Sequence, residues 1–128
     1  FKEKPNINSI EEFEDPNEVK VVVNFLNDAM YFSREPIPSR KLFSGKLSML
    51  KQVCIIPFKR DYLIKFNNTP ETVTEIIESI DMMRIIENDE KVRMVMTDEN
   101  SFSVDTKEDL LKVEEFMMDD LLMKKYIK

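Results

Sequence analysis

The stretch EVKVVVNFLNDAMYFS at residues 18–33 decides the fold. Valines alternate through residues 18–24 as in a β-strand with one buried face, and a second strand-like run extends from Ala29 to Ser33. Asn27 and Asp28 stand between the two runs, and both residue types favour turns. The sequence therefore predicts a β-hairpin.

Strand and helix patterns alternate on the C-terminal side of the hairpin. Prolines end the second strand, and residues 39–46, which hold the single glycine, Gly45, predict an exposed loop. The run LKQVCIIPF at residues 50–58 is apolar enough for a buried central strand closed by Pro57. Residues 59–67 favour a short helix.

A longer helix is expected from about residue 70 to residue 88. Thr69 and Pro70 are typical of a helix start, because threonine caps free N–H groups and proline at the first position loses no hydrogen bond. Apolar side chains then recur at three- and four-residue steps, which predicts one buried stripe. The stripe consists of Val73, Ile76, Ile77, Ile80, Met83 and Ile86.

The last part of the chain predicts two strands and a final helix. Alternation in residues 92–96 indicates one strand, and residues 102–105 indicate another. Thr106 and Asp109 have the spacing of a capping box, which opens the last helix. Together with one helical turn in residues 1–17, this order predicts a single α/β domain, residues 1–128, with a mixed sheet, the hairpin and flanking helices.

The composition excludes several classes of function. A net charge of −6 without a basic run argues against nucleic acid as a partner, and no apolar run approaches the roughly 20 residues of a membrane helix. The absence of histidine excludes Ser-His-Asp and Cys-His catalysis, and one glycine cannot form a glycine-rich phosphate loop. Cys54 cannot form an internal disulfide, so we expect a small buried residue in a cytoplasmic protein.

Five segments of the chain resemble consecutive C-terminal segments of the CMP-Kdo synthetases, the 3-deoxy-manno-octulosonate cytidylyltransferases. The segments are DPNEVKVVVN, AMYFSREPIP, KQVCIIPFKRDYL, ESIDMMRIIENDEKVRMV and SVDTKEDL, in the family's order and at similar spacing within about residues 10–116. The resemblance implies a Rossmann-like nucleotide-diphospho-sugar transferase fold and a homodimer. It also implies Mg²⁺-dependent transfer of CMP from CTP to an acidic sugar, with release of pyrophosphate, for lipopolysaccharide synthesis.

The family's nucleotide-binding half has no counterpart in these residues. That half carries a basic phosphate loop with a Pro-Ala-Arg sequence and a Gly-Asp-Glu-Pro segment, neither of which occurs here. We therefore expect the chain by itself to be inactive. The resemblance makes it the sugar-binding and dimerisation portion of such an enzyme.

Two charged residues are the main candidates for the site. The family's Val-Asp-Thr motif matches at Asp105, which the resemblance makes a Mg²⁺ ligand; magnesium prefers carboxylate oxygens. Capping of the following helix is the alternative role for this aspartate. Arg34 matches the arginine that the family uses for the acidic sugar. Arginine suits this role because a guanidinium binds a carboxylate with two parallel hydrogen bonds. An exposed arginine at a strand end without a partner is the alternative.

Further residues stand at positions of the family's sugar contacts. Gln52 stands where relatives usually have histidine, and Ile56, which we expect in the core, stands where they have tyrosine. Glu78 and Asp81 are expected on one face of the long helix, as sugar contacts or as a solvated acidic face. Met82 replaces the family's glutamine.

These substitutions leave three hypotheses open. The chain is part of an active cytidylyltransferase, or it is a non-catalytic binding or dimerisation module derived from that fold. The third hypothesis is a cytidylyltransferase for another acidic substrate, with the changed positions setting a different specificity.

Overall fold

Three short strands and six helices form the part of the chain that the computed structural model describes, residues 10–42, 49–53, 55–97 and 104–126. The elements are α1 (Ile10–Glu14), β1 (Lys20–Val23), β2 (Ala29–Ser33), β3 (Leu50–Lys51), α2 (Arg60–Asn68), α3 (Val73–Glu78), α4 (Met82–Glu87), α5 (Lys107–Asp119) and α6 (Met123–Tyr126). Gly45 and Cys54, for which a loop and a buried position were predicted, lie outside the described residues. No described helix is both long and apolar enough to cross a membrane.

The hairpin forms where the sequence predicts it. β1 and β2 pair antiparallel with Val21 opposite Phe32, and a bulge interrupts the ladder after Val22. The turn is held by Asn24, whose Oδ1 accepts the backbone N–H groups of Leu26 and Asp28 at 2.8 and 3.0 Å. This side-chain acceptor takes the place of a backbone carbonyl and lets a glycine-free sequence reverse direction.

The sheet has the order β2-β1-β3, and both of its ladders are antiparallel. The hairpin and the α/β class are confirmed, whereas the described strands contain no parallel pair of the expected mixed sheet. The prediction of a strand over residues 50–58 is wrong beyond Lys51. The ladder to β1 ends where the Gln52 N–H reaches the Val19 carbonyl, and Ile55 N–H then bonds back to the Val53 carbonyl at 2.7 Å. A strand continues only while a neighbouring strand supplies partners, and none lies beside this stretch in the described residues.

The single helix predicted for residues 70–88 is wrong, because two helices, α3 and α4, occupy this stretch. Ser79 ends α3 in the left-handed conformation, with φ 54° and ψ 49°, and this interrupts the helix. The helix start also lies later than predicted. Thr69 closes α2, and the Thr72 backbone N–H donates to the Glu75 carboxylate at 3.2 Å where α3 begins.

The core lies between the sheet and α4. Its buried members are Val21, Phe32, Leu50, Ile80, Met82, Met83 and Ile85. Only the C-terminal part of the predicted apolar stripe contributes, since Val73, Ile76 and Ile77 on α3 are exposed. The break at Ser79 explains this difference, because the stripe is predicted for one continuous helix and the chain forms two.

A buried ion pair joins α2, α3 and α4. Arg84 Nε and Nη2 contact the two oxygens of Glu75 at 2.7 and 2.5 Å, and Nη1 donates to the carbonyls of Phe66 and Thr69 at 3.2 and 3.0 Å. The guanidinium also stacks 4.3 Å from the ring centroid of Phe66. The hydrogen bond from Arg84 is the main cause that holds the pKa of Glu75 below its ordinary value.

Residues 91–96 lie beside the hairpin turn without forming the predicted strand. Backbone bonds join the Ala29 N–H to the Val92 carbonyl and the Met94 N–H to the Asn27 carbonyl, each 2.8 Å long. Arg93 forms a single bridge with Asp28 and an ion pair with its carboxylate at 2.5 Å. The contact is limited to one bridge because the turn, and not a straight strand, is the partner.

The final helix begins as predicted. The Thr106 hydroxyl accepts the Asp109 N–H at 3.1 Å, and the Asp109 carboxylate accepts the Thr106 N–H at 3.0 Å, so the capping box is confirmed. Residues 102–103 lie outside the described residues, and Val104 and Asp105 are not in a strand. No side chain of α5 is buried.

Candidate functional site

Arg34 stands at the end of β2 and reaches the end of α3. Its Nε donates to the Glu78 carbonyl at 2.8 Å, Nη1 to the Pro16 carbonyl at 2.8 Å and Nη2 to the Ser79 carbonyl at 3.1 Å. The left-handed turn at Ser79 makes this possible, because it exposes carbonyls at the end of the helix. Arg34 therefore has partners, and the alternative of an unpartnered surface arginine is wrong.

The Glu78 carboxylate completes this arrangement, which we call the Arg34–Glu78 cluster. Its oxygens accept the Tyr31 hydroxyl at 3.1 Å, the Ser33 hydroxyl at 3.0 Å and the Arg34 backbone N–H at 3.0 Å. Burial and the bond to Glu78 raise the pKa of Tyr31 above its ordinary value. Tyr31 and Ser33 were not predicted; their alternation along β2 was the only sequence signal that they share a face.

The cluster keeps unused hydrogen-bonding capacity. A guanidinium has five N–H groups, and three of those on Arg34 are engaged with backbone carbonyls. The two others can bind a carboxylate at this half-buried position. Asp81 is exposed at the start of α4, separated from Glu78 by the turn at Ser79, so the prediction that both share one helix face is wrong.

A cleft of about 1490 Å³ lies on the face of the sheet that carries Val21 and Phe32, and residues of α4 and the start of α5 also line it. Gln52, Ile56 and Asp105 are among its lining residues. Ile56 is 39% exposed, so its predicted place in the core is wrong. The chain leaves the sheet after Lys51 and carries this side chain to the wall of the cleft.

Asp105 lies at the cleft beside the start of α5. The helix is capped by Asp109, whose pKa is lowered chiefly by the Thr106 hydroxyl, while Asp105 contributes a long contact of its backbone N–H to Asp109 at 3.4 Å. Thr106 and Asp109 therefore cap the helix, and the Asp105 carboxylate is exposed. No group of three acidic, cysteine or histidine side chains that could hold a metal occurs in the described ranges.

Charged side chains form one rim of the cleft. Lys51 Nζ lies 2.5 Å from Glu12 and 3.2 Å from Glu18. Burial alone would lower the pKa of Lys51, but these two carboxylates raise it above its ordinary value. The neighbouring Lys20 is fully buried and donates to the Asp15 carbonyl at 2.7 Å; burial is the main cause that lowers its pKa.

Comparison with known proteins identifies the family of this chain. A family model described as cytidylyltransferase matches residues 3–92, more than half of the chain. The chain belongs to the cytidylyltransferase family. Its relatives include the 3-deoxy-manno-octulosonate cytidylyltransferase of Geobacter sulfurreducens, 36% identical over 122 residues, which cover 88% of this chain and 49% of that protein.

Two further matches agree with this cytidylyltransferase assignment. The Escherichia coli enzyme of the same name is 36% identical over 113 residues, covering 88% of this chain and 46% of that protein. The solved structure of a CMP:2-keto-3-deoxy-manno-octonic acid synthetase complexed with CTP matches with a TM-score of 0.79 and 36% identity, over 88% of this chain and 46% of that one. The chain thus spans about half the length of the curated relatives it matches.

The candidate site residues of this cytidylyltransferase chain fall into two groups. Arg34 and Glu78 are in direct contact, whereas Gln52 and Asp105 line the cleft together. None of the residues of the Arg34–Glu78 cluster belongs to the lining of the cleft, and neither does Asp81. Of the predicted residues, Gln52 and Asp105 therefore share the cleft, whereas the Arg34–Glu78 cluster and Asp81 lie outside its lining.

Proposed function

We propose that this chain is the C-terminal, sugar-binding and dimerisation portion of a Mg²⁺-dependent cytidylyltransferase with a Rossmann-like fold. The complete enzyme transfers CMP from CTP to an acidic sugar such as 3-deoxy-manno-octulosonate and releases pyrophosphate. The observation that carries this proposal is the 36% identity over 88% of the chain to enzymes named for that reaction. The chain by itself lacks a glycine-rich phosphate loop and is inactive in this proposal.

The Arg34–Glu78 cluster binds the acidic sugar in this proposal. The two remaining N–H groups of Arg34 accept the sugar carboxylate, in a charge-assisted pair stronger than a neutral hydrogen bond. The Glu78 carboxylate already has three donors, so it orients Arg34 and has room for one further hydroxyl. Asp81, exposed at the start of α4, adds a sugar contact in this proposal.

Asp105 would hold Mg²⁺, which neutralises charge on the triphosphate when bound. The other ligands come from outside the described residues. Because Asp109 performs the capping, Asp105 is available for a metal without loss of the helix start. Asp105 and Gln52 both line the cleft.

A non-catalytic module derived from the same fold is the second candidate. One observation favours it: Met82, at the position of the family's glutamine, is only 2% exposed and belongs to the core. A core side chain cannot bond a sugar hydroxyl. Such a protein would keep the fold and its partners without the reaction.

The test is CMP-sugar formation from CTP by the chain joined to the half of the Geobacter sulfurreducens enzyme that it does not match. Asp105→Ala is expected to lower kcat about 100-fold or more, because several kcal/mol of charge stabilisation are lost. Glu108→Ala, an exposed acidic change in the first turn of the same helix, is the control and should retain full activity. Equal activity of Asp105→Ala and wild type would contradict the metal assignment.

Arg34→Lys tests the sugar contact in the same fused protein. It keeps the charge but removes the planar fork, so we expect the KM for the sugar to rise about tenfold with the KM for CTP unchanged. Calorimetry with CTP, Mg²⁺ and the sugar separates the two candidates. Absence of heat with every one of them would support the module.

A further inference from the structure

Lys20 is a lysine that the fold has removed completely from solvent. Its side chain is 0% exposed, although lysine is among the residues least often fully buried. Side chains alternate along β1, so Lys20 lies on the face of the sheet opposite to Val21 and the core with α4. Burial of an uncompensated ammonium is strongly unfavourable, so the fold must hold this group by a specific interaction.

The Lys20 ammonium fixes the backbone turn at residues 15–18, which we call the Asp15 turn. Lys20 Nζ donates to the Asp15 carbonyl at 2.7 Å, and the same oxygen accepts the Glu18 N–H at 3.2 Å. Pro16 within this turn is exposed, so apolar burial does not hold it in place. A hydrogen bond from an ammonium is about twice as strong as one between neutral groups, which suits it to fix an exposed turn.

Arg34 binds the next carbonyl of the same turn. Its Nη1 donates to the Pro16 carbonyl at 2.8 Å, one residue after the carbonyl that Lys20 binds. The planar peptide bond and the fixed φ of proline leave one free torsion, the ψ of Pro16, between these two carbonyl groups. A shift of the Asp15 carbonyl therefore moves the acceptor of Arg34 with it. In the ladder, Lys20 also stands opposite Ser33, the residue before Arg34.

We propose that Lys20 is a positioning residue for Arg34: it holds the Asp15 turn so that the Pro16 carbonyl keeps the guanidinium fixed for the sugar carboxylate. This inference rests on the proposed function, in which Arg34 binds that carboxylate. Lys20 does not contact the sugar itself, since its side chain is out of solvent and its ammonium is bound to the Asp15 carbonyl.

The first test compares sugar binding with stability in Lys20→Met. Methionine keeps the length of the side chain without its charge, and replacement of a buried charge by an apolar group is often neutral for stability. In the fused protein, the KM for the sugar should rise about fivefold with the KM for CTP unchanged, because the guanidinium is no longer fixed. The urea midpoint of the chain should not fall. An unchanged KM for the sugar, or an equal rise in both KM values, would overturn the proposal.

A second variant and a control accompany Lys20→Met. Lys20→Gln has a head group that is uncharged and too short for the Asp15 carbonyl, so it should give the same result and serves if methionine prevents folding. Arg40→Met is the control: Arg40 pairs with Glu14 at 2.7 Å and stacks 4.8 Å from the ring centroid of Phe13, contacts that lie in α1 and not in the turn. It should change the KM for the sugar less than about twofold. A rise equal to that of Lys20→Met would refute the specific link to Arg34.

Lys20 should lose its influence on sugar binding when Arg34 is changed. In the Arg34→Lys background, Lys20→Met should alter the KM for the sugar less than about twofold, because lysine has no planar fork for the Pro16 carbonyl to orient. Effects of two residues that act independently add, whereas effects that pass through one group do not. Additive effects of the two substitutions would show that Lys20 does not act through Arg34.

Nitrogen NMR of the chain by itself separates this inference from the proposed function. Three hydrogen bonds hold the Arg34 guanidinium, so its two Nη groups should give separate signals. Lys20→Met should broaden or merge these signals, whereas Arg40→Met should leave them as in wild type. Separate signals in Lys20→Met would refute the positioning role and leave the proposed function standing. An unchanged KM for the sugar in Arg34→Lys would instead contradict the proposed sugar contact.

Discussion

At the scale of the residue, two arginines that are partly or largely buried each donate hydrogen bonds to several acceptors. Arg84 joins the Glu75 carboxylate to two carbonyls that close α2, and Arg34 joins three carbonyls from two segments. A guanidinium can do this because its five donors lie in one plane. Lysine has no such geometry, so neither arginine is replaceable by charge alone.

Arg84→Ala is expected to lower the free energy of unfolding by about 3 kcal/mol, because removing one partner leaves the Glu75 carboxylate buried without its cation. The side chains of Arg84 and Glu75 are only 13% and 9% exposed. Urea unfolding followed by circular dichroism measures the change. Arg60→Ala removes the fully solvated pair with Asp61 and should cost less than about 0.5 kcal/mol. A similar loss in both variants would contradict the assigned importance of the buried pair.

The same pair predicts a dependence of stability on pH. The pKa of Glu75 is lower in the folded than in the unfolded protein, since Arg84 favours the carboxylate form. Its contribution is therefore complete above the ordinary carboxyl range and is lost as pH falls through the lowered pKa. Urea midpoints at pH 7 and pH 3 should differ less in Glu75→Gln than in wild type. An equal difference would show that other groups account for the acid sensitivity.

At the scale of the element, local signals were predictable and pairing was not. The turn residues between β1 and β2 and the Thr106–Asp109 capping box act over a few positions, so the sequence alone was sufficient. The end of β3 depends on which strand lies beside it, and Ser79 gives no signal because the left-handed conformation usually belongs to glycine. The strand predicted for residues 50–58 and the single helix predicted for residues 70–88 were therefore wrong, because neither the missing neighbouring strand nor the conformation of Ser79 is visible in the local sequence.

Ser79→Gly is expected to stabilise the protein by about 0.5–1 kcal/mol. At φ 54° and ψ 49° a residue with a Cβ atom is strained, and glycine removes that strain while keeping the carbonyl that Arg34 binds. Ser79→Val should instead destabilise by more than about 1 kcal/mol, because a β-branched side chain is least compatible with this conformation. Thermal unfolding of both variants provides the check. Changes of the same sign would argue against strain at Ser79.

At the scale of the whole molecule, the chain forms a small core that leaves much apolar surface uncovered. The core of Val21, Phe32, Leu50 and the α4 residues is one layer between the sheet and a single helix, while α5 buries no side chain. The family resemblance located Arg34, Glu78, Gln52 and Asp105, but could not predict their division into two groups. Glu78 contacts Arg34 at the end of α3, whereas Gln52 lines the cleft where the ladder of β3 ends.

The three hydrogen bonds from Arg34 to backbone carbonyls affect how much side-chain entropy Arg34 would lose on binding an anion. Pro16, Glu78 and Ser79 fix the guanidinium before any ligand arrives. An arginine that is free in solution surrenders about 2 kcal/mol of rotamer entropy when it becomes ordered. In this chain that loss is incurred during folding, so in the proposed function the sugar carboxylate would meet a preorganised guanidinium and lose correspondingly less entropy on binding.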